Sequence, residues 1–369
     1  MFDEKQLRLS LIRRAHQLRL NTFKWDNLRT AQSVGYDIVT TKLGTKNRCR
    51  VILTAHGCSV GTCTMCPLPD EAVPENIAIE TADWMAQIEK ALDTHKPIDI
   101  LTLYHNGNFF SDKEVPPERR DAIYKRLAKS SITQLVVESL PQFITAERIS
   151  HAVNALREDQ RVEVAIGLQS MDPFLRETLL TSPCREPAMK EALKTLRSAN
   201  YEAQVFLMYQ MPFLTTEESM LALETSVLEL QTKYHIDDPT VCALRIAPAT
   251  VVGDLHSRGE LRLGSLWGLV EVLKTIREKS PTNRARVATS LLAQSTDKSP
   301  TTDACERCRA VLLPWIDQYN KGLAVPVGSA DMCGICRDAA LAGGRAYVKM
   351  DVLKRIADYL SQQCGAAKS

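Results

Sequence analysis

Short aliphatic and β-branched runs alternate with longer amphipathic stretches through the middle of the chain, and this alternation restricts the fold more than any other feature. Strands are predicted at Arg50–Ala55, Ile98–Tyr104, Gln134–Glu138, Val162–Leu168, Ala203–Met208 and Cys242–Ala247. Helices are predicted between them at Ala82–Thr94, Pro117–Lys129, Ala146–Arg157, Pro187–Ala199 and Thr216–Lys233. Helix starts are marked by Thr145 before Ala146-Glu147, Thr215-Thr216 before Glu217-Glu218, and Pro116-Pro117 before Glu118. Repeated strand-then-helix units imply a parallel sheet, closed as a barrel or left open. In either form, ligands collect at the carboxyl ends of the strands, so the strand ends are the site candidates.

The flanks are less regular. A helix is expected from Phe2 to about Thr22, followed by an irregular stretch to Thr45. Beyond Trp267 come one helix (Leu266–Lys279), a strand-like run (Arg286–Leu291) and a polar loop (Gln294–Ser299) leading to new cysteines. The expected organisation is therefore an N-terminal helical extension over 1–47, a core over 48–293, and a C-terminal metal- or cluster-binding extension over 294–369. Charge interrupts every apolar stretch before the roughly 18 residues a membrane span needs, and the amphipathic start lacks a secretion-signal core. No membrane partner and a cytoplasmic location are expected. With 46 Lys+Arg against 44 Asp+Glu, the net charge of +2 neither requires nor excludes RNA. Eleven cysteines without an export signal point to metal or cluster ligands in a reducing compartment, not to a disulfide framework.

Three of those cysteines carry the chemistry. His56-Gly57-Cys58-Ser59-Val60-Gly61-Thr62-Cys63-Thr64-Met65-Cys66-Pro67 directly follows the first predicted strand, and no further cysteine occurs between Cys66 and Cys184. Three thiolates with one coordination position open suit chemistry at a cluster. Cys-x4-Cys-x2-Cys is also the plant-type ferredoxin spacing, but a ferredoxin supplies its fourth thiolate from a small domain. A structural zinc site is the other competitor, with His56 drafted as fourth ligand.

At this position the triad resembles that of the radical S-adenosylmethionine (SAM) superfamily, although the common spacing there has one residue fewer in the first gap. The resemblance implies a partial (β/α)6 barrel, an α/β fold, here with a small cysteine-rich C-terminal extension. It also implies a 4Fe-4S cluster on Cys58, Cys63 and Cys66, SAM at the open iron, and an electron donor such as flavodoxin or ferredoxin. SAM would be held at the strand ends by Asn106-Gly107-Asn108, Glu138-Ser139 and Gln169-Ser170, with Arg245 a candidate for a SAM or substrate carboxylate. His105 and Tyr209, also at strand ends, are candidate catalytic proton donors or substrate anchors, or satisfied structural residues. Tyr104-His105-Asn106-Gly107-Asn108-Phe109, Glu114-Val115-Pro116-Pro117-Glu118, Val136-Val137-Glu138-Ser139-Leu140-Pro141, Ala165-Ile166-Gly167-Leu168-Gln169-Ser170 and Met211-Pro212-Phe213-Leu214 narrow the likeness. Over residues 48 to 275 the motif order is similar to the archaeosine-biosynthesis, elongator-subunit-like branch. That branch implies C–N cleavage on a lysine-modified 7-deazaguanine in tRNA, or on a related small-molecule or nucleobase-linked amine.

Cys305-x2-Cys308 and Cys333-x2-Cys336 are two further knuckles, suited to a zinc ribbon or to a second 4Fe-4S cluster. A second cluster that released one thiolate would keep sulfur insertion or another rearrangement open. A zinc-binding RNA-interaction protein is the non-enzymatic alternative. Cys49, Cys184, Cys242 and Cys364 read as apolar fillers or idle thiols.

Overall fold

The computed structural model describes residues 3–20, 24–25, 27–41, 44–93, 97–289, 292, 301–323, 333–334, 336 and 344–366. One sheet dominates, with eight strands in chain order: β1 (Ser33–Thr41), β2 (Gly44–Ile52), β3 (Ile100–Tyr104), β4 (Gln134–Glu138), β5 (Arg161–Gln169), β6 (Glu202–Tyr209), β7 (Thr240–Ala243) and β8 (Arg286–Val287). From β2 onward every pairing is parallel. Each right-twisted strand feeds a crossover that packs back on one face. Helices α2 (Thr81–Leu92), α3 (Pro117–Ala128), α4 (Ala146–Ala155), α5 (Glu186–Ser198) and α6 (Thr216–Tyr234) supply those crossovers, and α7 (Val251–Ser257) and α8 (Leu266–Lys279) precede β8. The expected caps are present. Thr145 accepts from Arg148 N, and Thr215 closes a capping box with Glu218.

The strands alternate between two environments. Val51, Leu101, Leu103, Val137, Val164, Ile166, Val205 and Leu207 join Trp84, Ile88, Ile123, Leu193, Leu223 and Trp267 in one core between sheet and helices. The opposite face carries Arg48, Thr102, Tyr104, Gln134, Glu138, Glu163, Gln204 and Cys242, the other parity of the same strands. Four of these, Glu138, Glu163, Arg48 and Cys242, act electrostatically on Tyr104 from β4, β5, β2 and β7, so the sheet curls until β3 and β7 look across one lumen.

Three expectations change. Among its described residues the 1–47 segment is not a helical extension: only α1 (Glu4–Gln17) is helical there, and β1 pairs antiparallel with β2 in a hairpin. Ile38 is 69% exposed on that edge strand, and the mixed Val-Gly-Tyr-Asp pattern gives little alternation to read. The strand expected over Cys242–Ala247 ends at Ala243, and of the run expected over Arg286–Leu291 the described strand is Arg286–Val287. The boundary at 293 and the loop Gln294–Ser299 lie outside the described residues, as does the side chain of Cys364.

Both ends of the chain pack on the barrel. Leu11 and Ala15 of α1 share a second core with Phe174, Leu179, Met211, Val252 and residues of α10 (Lys349–Ala366). Arg14 and Tyr359 meet on Asp254 of α7, at 2.9 and 2.7 Å, which fastens the terminal helices beside the barrel mouth. Helix α9 (Glu306–Asn320) lies against α8 and β8, and the Asn320 amide bonds both the N–H and the C=O of Val287, each at 2.8 Å. That side chain satisfies part of the edge which β8 would otherwise expose.

Candidate active site

The cysteine loop leaves β2 at the carboxyl mouth of the barrel and is held from four directions. Thr64 donates to the carbonyls of Leu180 (backbone N, 3.1 Å) and Leu179 (Oγ1, 2.9 Å), and Thr62 and Thr181 exchange hydroxyl-to-carbonyl bonds. Arg19 donates to the carbonyls of Cys66 (2.8 Å) and Gly61 (3.1 Å) and pairs with Asp70 (3.0 Å). Glu114 accepts from Ser59 N (3.0 Å), Ser59 Oγ (2.7 Å) and Asn108 Nδ2 (2.8 Å), and from the Asn108 backbone N–H. Asn108 in turn directs Nδ2 at Cys58 Sγ (3.5 Å) and accepts from Leu140 N (2.8 Å). Sequence reading missed Arg19 and Glu114 because neither lies near the triad in the chain.

Close backbone approach underlies this arrangement. A Cβ on Gly107 would sit 2.4 Å from Glu114 Oε2 and 2.8 Å from the Gly57 carbonyl, so the β3 turn and the cysteine loop touch only because residue 107 is glycine. Gly57 itself has φ +72°.

The three thiols are neighbours without being a compact set. Burial pushes the Cys66 thiol up to about 12 and raises Cys63 and Cys58 as well, with repulsion from neighbouring thiols adding to it at Cys63 and Cys66 and from Glu114 at Cys58. Buried thiols with one nearby guanidinium favour the neutral form until a metal takes the proton's place. Among the described residues, the triad does not belong to any group of donor atoms lying within 4.8 Å of one another. Thiolates on a single tetrahedral zinc would, whereas thiolates on separate irons of a cube must be splayed wider. His56 is engaged elsewhere, its Nδ1 3.2 Å from the Val73 carbonyl, and does not complete a closed site. The residues present therefore fit a four-iron cluster with one iron unligated by protein.

The remaining candidates separate by strand parity. Glu138 lies at the lumen end of β4 and accepts from the backbone N–H groups of His105 (3.2 Å) and Gly107 (3.1 Å). Burial raises its pKa, against the pull of His105 and the turn amides. Gln169, at a bulge in β5, adopts φ +69° and folds its amide back over Gly167 on the lumen face. Left-handed non-glycine residues recur at the ends of β3 (Asn106, φ +60°) and β6 (Gln210, φ +65°). Such strain collects where side chains are aimed at ligands. Asn106 directs its amide toward Gln32, and Arg245 pairs with Glu71 at 2.6 Å beside the turn that follows the triad. The Ser139 hydroxyl bonds the Leu140 carbonyl.

His105, Tyr209 and Ser170 are placed differently from the lumen residues. His105 continues the Leu101–Leu103 parity into the helix-side core, where its ring tilts against Trp84 at 5.3 Å and its Nε2 lies 3.6 Å from Glu114. Tyr209 is fully buried on the same side and donates to the Ser265 carbonyl at 2.8 Å, with Gly264 and Gly268 leaving room for its ring. Both rings pack on the helix side of the sheet. Ser170 is buried against Ser226 and caps Asp172 N. The lumen-facing Tyr104 and Glu163 are the polar groups that the strand-end rule overlooked. Glu163 accepts from Gln134 at 2.5 Å, and desolvation with Glu202 nearby pushes its carboxyl up to about 7.

A curled parallel half-barrel, with helices on its convex face and three thiols at its carboxyl mouth, is the arrangement that the sequence resemblance implied. No protein-family model matches the chain. Curated relatives are more specific. The chain is 27% identical over 237 residues to the archaeosine synthase subunit beta of Methanosarcina acetivorans, covering 63% of this chain and 67% of that one. It is 23% identical over 241 residues to the archaeosine synthase subunit beta of Thermococcus kodakarensis, covering 63% and 73%. The matches thus span about two thirds of the relatives' length. Among solved structures, a queuine lyase from Clostridium spiroforme bound to SAM and queuine superposes loosely, with TM-score 0.41, 19% identity, and 56% and 78% of the two chains covered. Among the described residues, no helix is long and apolar enough to cross a membrane.

Proposed function

We propose that this chain is a radical SAM enzyme acting on a nucleobase-linked amine, specifically a lysine-modified 7-deazaguanine in tRNA, a reading supported by its likeness to two proteins named archaeosine synthase subunit beta. The observation that carries the reading is the splayed, three-thiol site set over a polar lumen. A four-iron cluster with SAM would supply reductive cleavage of the sulfonium and a 5′-deoxyadenosyl radical.

The chain's own residues do the rest. Cys58, Cys63 and Cys66 would hold the cluster, and Arg19 and Glu114 fix the loop that presents them. Gln169, Glu138 and the Asn106-Gly107 turn border the place where SAM would lie, Glu138 by setting the turn's backbone. Below them Tyr104, Glu163, Gln134 and Gln204 offer hydrogen bonds to a hydrophilic substrate. A carboxyl titrating near neutrality can receive an amine in either protonation state. The apolar helix-side core keeps bulk water from the convex face.

Anaerobic turnover with SAM, reductant and tRNA carrying the lysine-modified base deuterated along the lysine chain tests this. Deuterium should pass into 5′-deoxyadenosine with release of the cleaved side chain. SAM cleavage without deuterium transfer from that tRNA, but with transfer from another substrate, would reject the tRNA reading.

A further inference from the structure

We infer that Cys305, Cys308, Cys333 and Cys336 bind one zinc ion, and not a second iron–sulfur cluster. Among the described residues these four thiols are the one group of candidate ligands whose donor atoms all lie within 4.8 Å of one another. Cys333 Sγ is 3.5 Å from Cys305 Sγ and 3.8 Å from Cys308 Sγ. A tetrahedral ion with metal–sulfur bonds of about 2.3 Å requires sulfur–sulfur edges of about 3.8 Å. Ligands to four different irons of a cube cannot approach so closely, because sulfides and irons occupy the space between them. The triad of the same protein does not converge in this way, so the two sites are built for different metals.

The surroundings fit a closed structural site. Cys305 and Cys308 flank the first turn of α9, where free backbone N–H groups favour thiolate charge, and Cys336 N donates toward Cys333 Sγ at 3.4 Å. Residue Trp267 is fully buried, and its Nε1 has no hydrogen-bond acceptor. That is the kind of donor that supports a metal-bound sulfur. Binding displaces a proton from each thiol that was neutral, with no electron transferred.

The ion's task follows from its location. Residue Asp303, just before the first knuckle, pairs with the chain at 264–266, where Leu266 N donates to the Asp303 carbonyl and Asp303 N to the Gly264 carbonyl. Ser265 is also the acceptor for Tyr209. The ion therefore clamps α9 onto α8 behind the end of β6 and keeps the edge strand β8 covered. With all four thiolates used, this site has none to release for sulfur donation.

Metal and sulfide analysis of the Cys58→Ala/Cys63→Ala/Cys66→Ala protein, after anaerobic iron–sulfur reconstitution and dialysis against a mild chelator, decides the matter without reference to turnover. One zinc per chain and no acid-labile sulfide is the expected result. Cobalt added to metal-stripped protein should give the visible bands of a tetrahedral tetrathiolate, absent after Cys305→Ser/Cys308→Ser in the same background. Retained iron, whether as a cluster with sulfide or as a lone ion, or a folded protein holding no metal, would overturn the assignment. Loss of SAM cleavage in the wild-type chain would count against the proposed function and leave this result unaffected.

Discussion

Replacing Glu114 by Gln should loosen the cysteine loop although the residue never touches the cluster. The carboxylate is buried and accepts from two donors of Ser59 and two of Asn108. Burial alone would raise its pKa, yet bonds from His105, Ser59 and Asn108 hold it below the usual carboxylate range. A glutamine keeps the volume but presents an NH2 where one oxygen accepted. If that group replaces Oε2, the buried Asn108 N–H loses its acceptor. If it replaces Oε1, both Ser59 donors do. An orphaned buried donor costs about 1–3 kcal/mol, and each remaining bond that loses its charge gives up about 1 kcal/mol. The sum, about 3–5 kcal/mol, is a large share of a domain's typical 5–15 kcal/mol. Iron per chain after anaerobic reconstitution, together with the urea midpoint, measures the effect. Both should fall, and Cys58, held through Asn108, should be the least protected thiol in alkylation. A variant with the full iron complement and an unmoved midpoint would show that the Ser59–Glu114–Asn108 bridge does not position the loop.

Other expectations follow from the same geometry. Gln169→Ala should weaken SAM binding roughly tenfold or more, the loss of one polar contact, while iron content stays constant; equal affinity with lost turnover would move Gln169 to the substrate pocket. Tyr209→Phe should lower stability by about 1 kcal/mol through loss of the Ser265 bond and leave SAM cleavage intact, and a loss of cleavage in a stably folded variant would reinstate the ring as catalytic. Glu163 has a folded pKa of about 7 against 4.5 unfolded, so its contribution to stability is fully present below 4.5 and is lost as pH rises through 7. Glu163→Gln should therefore raise the urea midpoint of the metal-loaded protein at pH 8, by about 1–3 kcal/mol, more than at pH 5, and a pH-independent difference would contradict that assignment.

The parallel core and both cysteine sets could be read from the chain because each is written locally. Strand runs such as Gln134–Glu138 were recovered residue for residue, since apolar run, cap and turn signals all lie within one segment. The spacing Cys63-x2-Cys66 marked a candidate metal loop in the same way, and the paired knuckles at 305–308 and 333–336 marked another candidate. Tertiary structure decided what depends on distant neighbours. A one-residue change of parity separates Tyr104, in the lumen, from His105, in the helix-side core, and which parity is concave is fixed only when the helices dock. Arg19 and Glu114 became visible as guardians of the cysteine loop through hydrogen bonds spanning 42 to 55 residues of chain. The sequence marked two groups of closely spaced thiols as candidate metal sites; how each loop packs decided that the C-terminal four converge within 4.8 Å while the first three do not.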